Sequence, residues 1–262
     1  MERIVSLEGV SVRYDDCTAI ENASLDIFDN DFIGIIGPNG GGKTSLIKAI
    51  LGSVPYEGRI EIAPSLFRNG QRLIGYMPQQ SIFDRTFPIT VADVVMSGLQ
   101  SERGFWHRYG SNERQRAAEL MQRTGIDAIA NRQIGEISGG QMQRALLCRA
   151  IIAEPRLLIM DEPTTYVDNQ FEGELYAMLE QLSAKMAIVM VSHDVGTISS
   201  HVKSIVCVNR TVHRHDSNVI TQEQLDNYNC PIQIVTHGHV AHTVLRHHEN
   251  DGCCGGCCSE HK

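Results

Sequence analysis

The chain has 262 residues, 42% hydrophobic and 21% charged, with a formal charge of −8: an ordinary globular composition, long enough to bury one large core. The acidic balance argues against a surface that coats nucleic acid, which needs clustered Lys and Arg. No apolar stretch approaches the ~20 residues of a membrane span, and Met1-Glu2-Arg3-Ile4-Val5 lacks the regions of a signal peptide. The expectation is a cytoplasmic protein that reaches a membrane only through a partner.

In chain order, residues 4–7, 10–14 and 24–28 read as short strands joined by polar turns, which suits an antiparallel β subdomain. Residues 31–36 read as a buried strand leading into Gly37-Pro38-Asn39-Gly40-Gly41-Gly42-Lys43-Thr44, and residues 44–51 as a helix leading out. This octapeptide fits Gly-x4-Gly-Lys-[Ser/Thr] in its expected strand–loop–helix context. Glycines at 40, 41 and 42 let successive N–H groups turn toward phosphate oxygens, and the helix N-terminus adds its positive end. Lys43 would reach the β- and γ-phosphates of ATP, and the Thr44 hydroxyl would ligate Mg2+.

Residues 58–62 and 73–77 are again strand-like, and from about 91 to 139 the character turns helical, clearest at 92–99 and at 112–124 with Ser111 as a cap. The basic aromatic stretch 101–110 reads as an irregular packed loop rather than an RNA contact. Ile137-Ser138-Gly139-Gly140-Gln141 opens a helix to about 153. Ser138 can cap it, leaving N–H groups to offer an anion. The apolar run 157–160 reads as a central parallel strand that delivers Asp161 and Glu162 at its C-terminal edge, where ligands bind in open α/β sheets. Adjacent carboxylates there can divide labour, Asp161 toward Mg2+ and Glu162 as general base toward water. Strands at 187–191 and 204–208 alternate with helices as in a parallel sheet. Cys17, Cys148 and Cys207 read as small apolar residues in or near the core.

With this ordered set the chain resembles the ATPase subunit of an ABC transporter over residues 1 to about 235. Residues 137–141 match the family signature Leu-Ser-Gly-Gly-Gln with one conservative change. The resemblance implies an α/β fold, a P-loop nucleotide-binding domain with a parallel RecA-like core sheet, an antiparallel β subdomain and an α-helical subdomain at about 91–139. It implies nucleotide contacts along the loop from Gly37 through Ser45. It further implies that Ser138, Gly139, Gly140 and Gln141 touch the γ-phosphate held by a second copy in a head-to-tail dimer. By register, Tyr14 stacks on adenine, Gln79 (or its neighbour Gln80) touches Mg2+ and the attacking water, and His193 hydrogen-bonds the γ-phosphate. Asp168 falls in the loop that communicates between subunits, where Tyr166 replaces the family's small residue. The set implies ATP hydrolysis on magnesium.

Two features point to the kind of transporter. Residues 87–95 resemble the segment that, in importers for zinc, manganese or chelated iron, receives the permease. Residues 229–238 resemble the closing segment of zinc-type importer ATPases. The remaining tail, 236–262, reads as flexible and holds histidines 237, 239, 242, 247, 248 and 261 and cysteines 253, 254, 257 and 258. Cys254-x2-Cys257 has the spacing of a chelating thiolate pair, Cys253 and Cys258 flank it, and His247 and His248 can add nitrogens. Thiolate with imidazole prefers Zn2+ or Cu(I) over manganese. A merely biased composition or an engineered tetracysteine are the competing readings; a disulfide framework does not suit cytoplasmic thiols. The expectation is the ATPase subunit of a metal importer, zinc first, fed by an extracytoplasmic metal-binding protein. A manganese or iron-chelate importer, or a soluble ABC ATPase in iron–sulfur or other metal handling, stays open.

Overall fold

A computed structural model describes residues 1–15, 17–68, 70–79, 86–100, 109–164, 169–218, 232–237 and 240–245. The chain divides into two compact units, Met1–Ile62 with Val191–Lys262, and Ala63–Met190.

In the first unit, β1 (Arg3–Tyr14) and β2 (Cys17–Phe28) form a long hairpin. β3 (Phe32–Ile36) and α1 (Lys43–Leu51) follow, and then β4 (Glu57–Ile62) completes an antiparallel sheet of order β2-β1-β4. The two short strands expected at 4–7 and 10–14 are one strand. A bulge with Gly9 at φ 60 takes up the extra residue between the Leu7–Leu25 and Val10–Ala23 pairs, so pairing resumes past it. β2 begins at Cys17 rather than near Ser24. Glu21 and Asn22 are exposed on this edge strand, and their polarity masks the alternation.

Every residue of β3 is buried, as its unbroken apolar run requires. It pairs in parallel with a later strand, Ser204–Asn209, which turns back at once into the antiparallel strand Thr211–His215. A short helix, Val195–Ser199, capped by the Asp194 carboxylate on the Thr197 N–H, packs Ile198 against the bare backbone of Gly34. Residues Ile232–His237 and Val240–Leu245 form a further antiparallel hairpin, so regular backbone continues beyond residue 235.

The second unit opens with the small hairpin β5 (Phe67–Arg68) and β6 (Gln71–Arg72). β7 (Ile74–Met77) then pairs in parallel with β8 (Leu157–Asp161), whose other neighbour is β9 (Ala187–Val191). With β9 placed, the strands of the first unit are β10 (Ser204–Asn209), β11 (Thr211–His215), β12 (Ile232–His237) and β13 (Val240–Leu245). All five positions of β8 and of β9 are buried. The helices are α2 (Val91–Ser97), α3 (Ser111–Arg123), α4 (Gly139–Ile151) and α5 (Asn169–Ser183), with Val195–Ser199 of the first unit as α6. Thr90 caps α2 reciprocally with Asp93. α3 is capped one residue earlier than Ser111: the Gly110 N–H donates to the Glu113 carboxylate, which closes the end from inside the helix. Cys148 and Cys207 are buried and Cys17 half-buried, as small core residues should be.

The turn between β2 and β3 is tied to β11 by one side chain. Arg214 donates from Nη1 and Nη2 to the two oxygens of Asp31 at 2.9 and 3.0 Å, from Nη1 to the Asp26 carbonyl at 2.6 Å, and from Nε to Asp216 at 2.9 Å. Its guanidinium also lies 5.7 Å from the Phe28 ring centroid. Burial opposes its charge, but the hydrogen bonds and charge of Asp31 outweigh that and raise its pKa. Asp31, itself 4% exposed, also accepts the Phe28 N–H at 2.8 Å. Arg214→Met strands that carboxylate without its fork. The expected loss is about 3 kcal/mol of unfolding free energy, read from urea midpoints at unchanged m. A loss under about 1 kcal/mol, the level of an exposed pair, would show that the fork is not a structural tie.

Candidate functional site

In the first unit, β3 ends at a loop whose backbone has little freedom. Gly37, at φ 151, would place a Cβ 2.0 Å from the Val208 carbonyl. Gly42, at φ 99, would place one 2.3 Å from the Ala19 carbonyl. Neither position admits a side chain. The loop's carbonyls are engaged. Lys43 Nζ donates to Gly37 O at 2.9 Å and to Pro38 O at 2.8 Å, and Arg210 N–H, from the turn between β10 and β11, donates to Gly41 O at 2.9 Å. Asn39, Gly40 and Thr44 are exposed on the other side, whereas Lys43 is buried and Ser45 half-buried. α1 starts with Gly42 at its N-cap, which supplies no side-chain cap, and its first turn carries no acid. An uncapped helix start beside a buried ammonium and an exposed hydroxyl fits the phosphates of a nucleotide and a magnesium ion. Lys43 and Thr44 are the residues that would hold them.

Two other candidates belong to this unit. Tyr14, at the end of β1, is 38% exposed, enough to present a ring face. His193 is exposed just past β9, where Ser192 N–H donates to Ile35 O at 3.1 Å and so fixes the backbone beside it.

In the second unit, the carboxylate pair emerges where the buried run of β8 stops. Asp161 is 2% exposed and Glu162 half-buried. Glu162 adopts φ 54, a left-handed conformation that costs an L-residue on the order of 1–2 kcal/mol. Gln79, two residues past β7, donates from Nε2 to Glu162 Oε2 at 2.8 Å. The parallel pairing of Met77 with Met160 brings these two ends together. Burial, and then the charge of Asp161, push the Tyr76 phenol up to about 12, so it stays protonated beside that carboxylate.

Ser138 and Gln141 cap α4 reciprocally: Ser138 Oγ accepts the Gln141 N–H at 3.2 Å, and Gln141 Oε1 accepts the Ser138 N–H at 3.0 Å. Gly139 and Gly140 are half-buried, and a Cβ on Gly140 would meet nothing within 4 Å. Packing inside this chain therefore does not demand a glycine there. Asp168, Gln80, Tyr166 and the tail residues His247, His248, Cys253, Cys254, Cys257 and Cys258 lie outside the described residues. Among the described residues no group of three or more His, Cys, Asp and Glu is placed to hold a metal. None of their helices is long and apolar enough to cross a membrane.

The family model described as ABC transporter matches residues 20–165. The chain belongs to the ABC transporter family. It is 34% identical over 211 residues to the manganese transport system ATP-binding protein MntB of Halalkalibacterium halodurans, covering 80% of this chain and 84% of that relative. It is equally 34% identical over 222 residues to the zinc uptake system ATP-binding protein ZurA of Listeria monocytogenes, covering 81% and 85%. A dimeric bacterial ABC transporter cassette shares the fold at TM-score 0.71 and 23% identity, over 81% of this chain and 98% of that one. These likenesses make the chain an ABC ATPase, with the expected α/β architecture and parallel core strands.

The sequence reading missed the support of the loop. Val208 and Arg210 stand some 170 residues from it in the chain, and no local pattern marks them; the structure places Arg210 at φ 59 in the turn between β10 and β11. Two alanine variants separate packing from conformation. Gly42→Ala meets both the φ penalty and the Ala19 carbonyl, and is expected to lose about 2–3 kcal/mol of stability. Gly40→Ala, at φ 75 with nothing within 4 Å, should lose only about 1 kcal/mol. Equal losses in chemical denaturation would mean that the Ala19 contact does not constrain the loop.

Proposed function

We propose that this chain is the ATP-hydrolysing subunit of an importer for a divalent metal, zinc first, and that it works as a head-to-tail pair on the inner face of the plasma membrane beneath a permease. The observation that carries the hydrolytic part is the 2.8 Å hydrogen bond between Gln79 and Glu162 at the exit of a buried strand. It orients a carboxylate whose neighbour, Asp161, is buried and fit for magnesium. Lys43 and the α1 N-terminus bind the phosphates, Thr44, Gln79 and Asp161 hold Mg2+, and His193 contacts the γ-phosphate. Bound magnesium would neutralise phosphate charge. Glu162 takes the proton of the attacking water, with Gln79 keeping its oxygens in register. Tyr14 stacks on adenine.

The head-to-tail pair is supported by the open space at Gly140 and by the dimeric cassette of the same fold. In it, Ser138 to Gln141 serve the nucleotide of the other copy, and Asp168 relays between copies. The permease reading rests on the relatives' names as transport-system proteins and on Phe87, 60% exposed at the approach to α2. An extracytoplasmic protein would deliver the metal. The metal class follows the same relatives, one named for manganese and one for zinc at equal identity; the thiolate and imidazole density after residue 236 favours zinc.

A strain lacking this chain, complemented by wild type or by Glu162→Gln, tests the proposal in metal-depleted medium supplied with zinc, manganese or iron. Wild type should rescue growth on limiting zinc, and Glu162→Gln should not. In vitro that variant should bind ATP normally and hydrolyse it ~10²–10⁴-fold more slowly. Near-normal turnover would remove Glu162 as the base, and rescue on manganese alone would move the cargo to that metal.

The tail is proposed as a cytoplasmic zinc ligand. Truncation after Arg246 keeps the β12–β13 hairpin and removes His247, His248 and the four tail cysteines. The truncated chain should keep its ATPase and lose high-affinity zinc binding under reducing conditions. In the full chain that binding should weaken as pH falls, because thiols must deprotonate to ligate. Equal zinc affinity and stoichiometry in both forms would refute the tail site.

A further inference from the structure

Within the unit Ala63–Met190, a groove of about 290 Å3 opens between β7, the end of α2 and the end of α4. Its walls approach closely because two residues lack side chains. A Cβ on Gly75 would stand 2.2 Å from Ala150 O, and one on Gly98 would stand 2.0 Å from Arg149 O.

The lining is one-sided in charge. Arg72 and Arg149 bring two guanidinium groups, Tyr76, Ser97 and Gln100 are neutral, and among the described residues no Asp or Glu lines the groove. Tyr76 keeps its proton, with its pKa pushed up to about 12 by burial and by Asp161. Arg149 is half-buried, and burial alone acts on it, lowering its pKa. No acidic side chain pairs with it among the described residues. The C-terminal end of α4 favours a cation at this position, but it supplies no acid to pair with Arg149. A partly desolvated guanidinium without an acid is costly, and in a chain of net charge −8 the local reversal of sign stands out. Guanidinium groups match carboxylate and phosphate through paired N–H donors.

We propose that this groove is an oxyanion site, in which Arg149 and Arg72 hold a carboxylate or phosphate and the hydroxyls of Tyr76 and Ser97 border it. That chemistry has two sources, a free small anion or the acidic side chain of a docked protein. Calorimetric titrations of the full chain separate them, with magnesium ADP at saturation to fill the phosphate loop. One arm uses inorganic phosphate and citrate against chloride at matched ionic strength. The other uses a capped helical peptide bearing Glu against its Gln counterpart.

Saturable binding is expected in one arm, weakened about ten- to hundredfold by Arg149→Met and less by Arg149→Lys. Phosphate or citrate binding identifies a free anion. A preference for the Glu peptide, without either anion, identifies an acidic side chain. Arg72→Met, on the exposed wall, should weaken the same binding and serves if Arg149→Met does not fold. No saturable binding in either arm, or affinity unchanged in both variants, overturns the site.

Discussion

The hydrogen bond from the Arg210 N–H to the Gly41 carbonyl governs much of the first unit. A loop that aims its N–H groups at phosphate must dispose of its carbonyls elsewhere, since buried backbone acceptors need partners. Here Gly41 O is taken by the β10–β11 turn, Gly37 and Pro38 carbonyls by the Lys43 ammonium, and Gly42 O by the Leu46 N–H of α1. Glu21 N–H in turn donates to Arg210 O, so β2, the turn and the loop form one hydrogen-bonded series. These partners fix the loop's carbonyls, and a loop fixed in this way is preorganised for an anion.

The second unit solves a different problem, that of holding a carboxylate in place at the end of a dry strand. β8 is buried along its whole length, so its backbone has nowhere to relax until Asp161. Glu162 then turns into the left-handed region, and the side-chain amide of Gln79 holds it in that turn. The strain is local and is offset by the packing of β7 and β8 on either side. Capping follows the same economy in α4, where Ser138 and Gln141 satisfy each other and leave Gly140 bare toward space.

Charge is distributed against the net balance. The chain is acidic overall, yet the cations that matter are drawn inward: Lys43 under the loop, Arg214 across Asp31, and Arg149 in the groove beside α2. Exposed ion pairs such as Arg13 with Glu57 contribute little to stability. The inward ones act where water screens them less.

Membership of the ABC ATPase family was legible in the sequence because the candidate site's motifs are short contiguous runs: a glycine-rich loop, a capped helix start, a strand apolar until its acids. The boundaries of β3, α1, α4 and β8 follow from the same local rules. The continuous β1, the early start of β2 and the Gly110 cap were not legible. A bulge, an edge strand and a backbone cap leave the apolar pattern ambiguous. What only the tertiary structure decided is which distant groups meet: Arg210 with Gly41, Arg214 with Asp31, Gln79 with Glu162, and Gly98 with the backbone of Arg149. These contacts join segments separated by tens to nearly two hundred residues, and they depend on strand register and helix packing, which no window along the chain can contain.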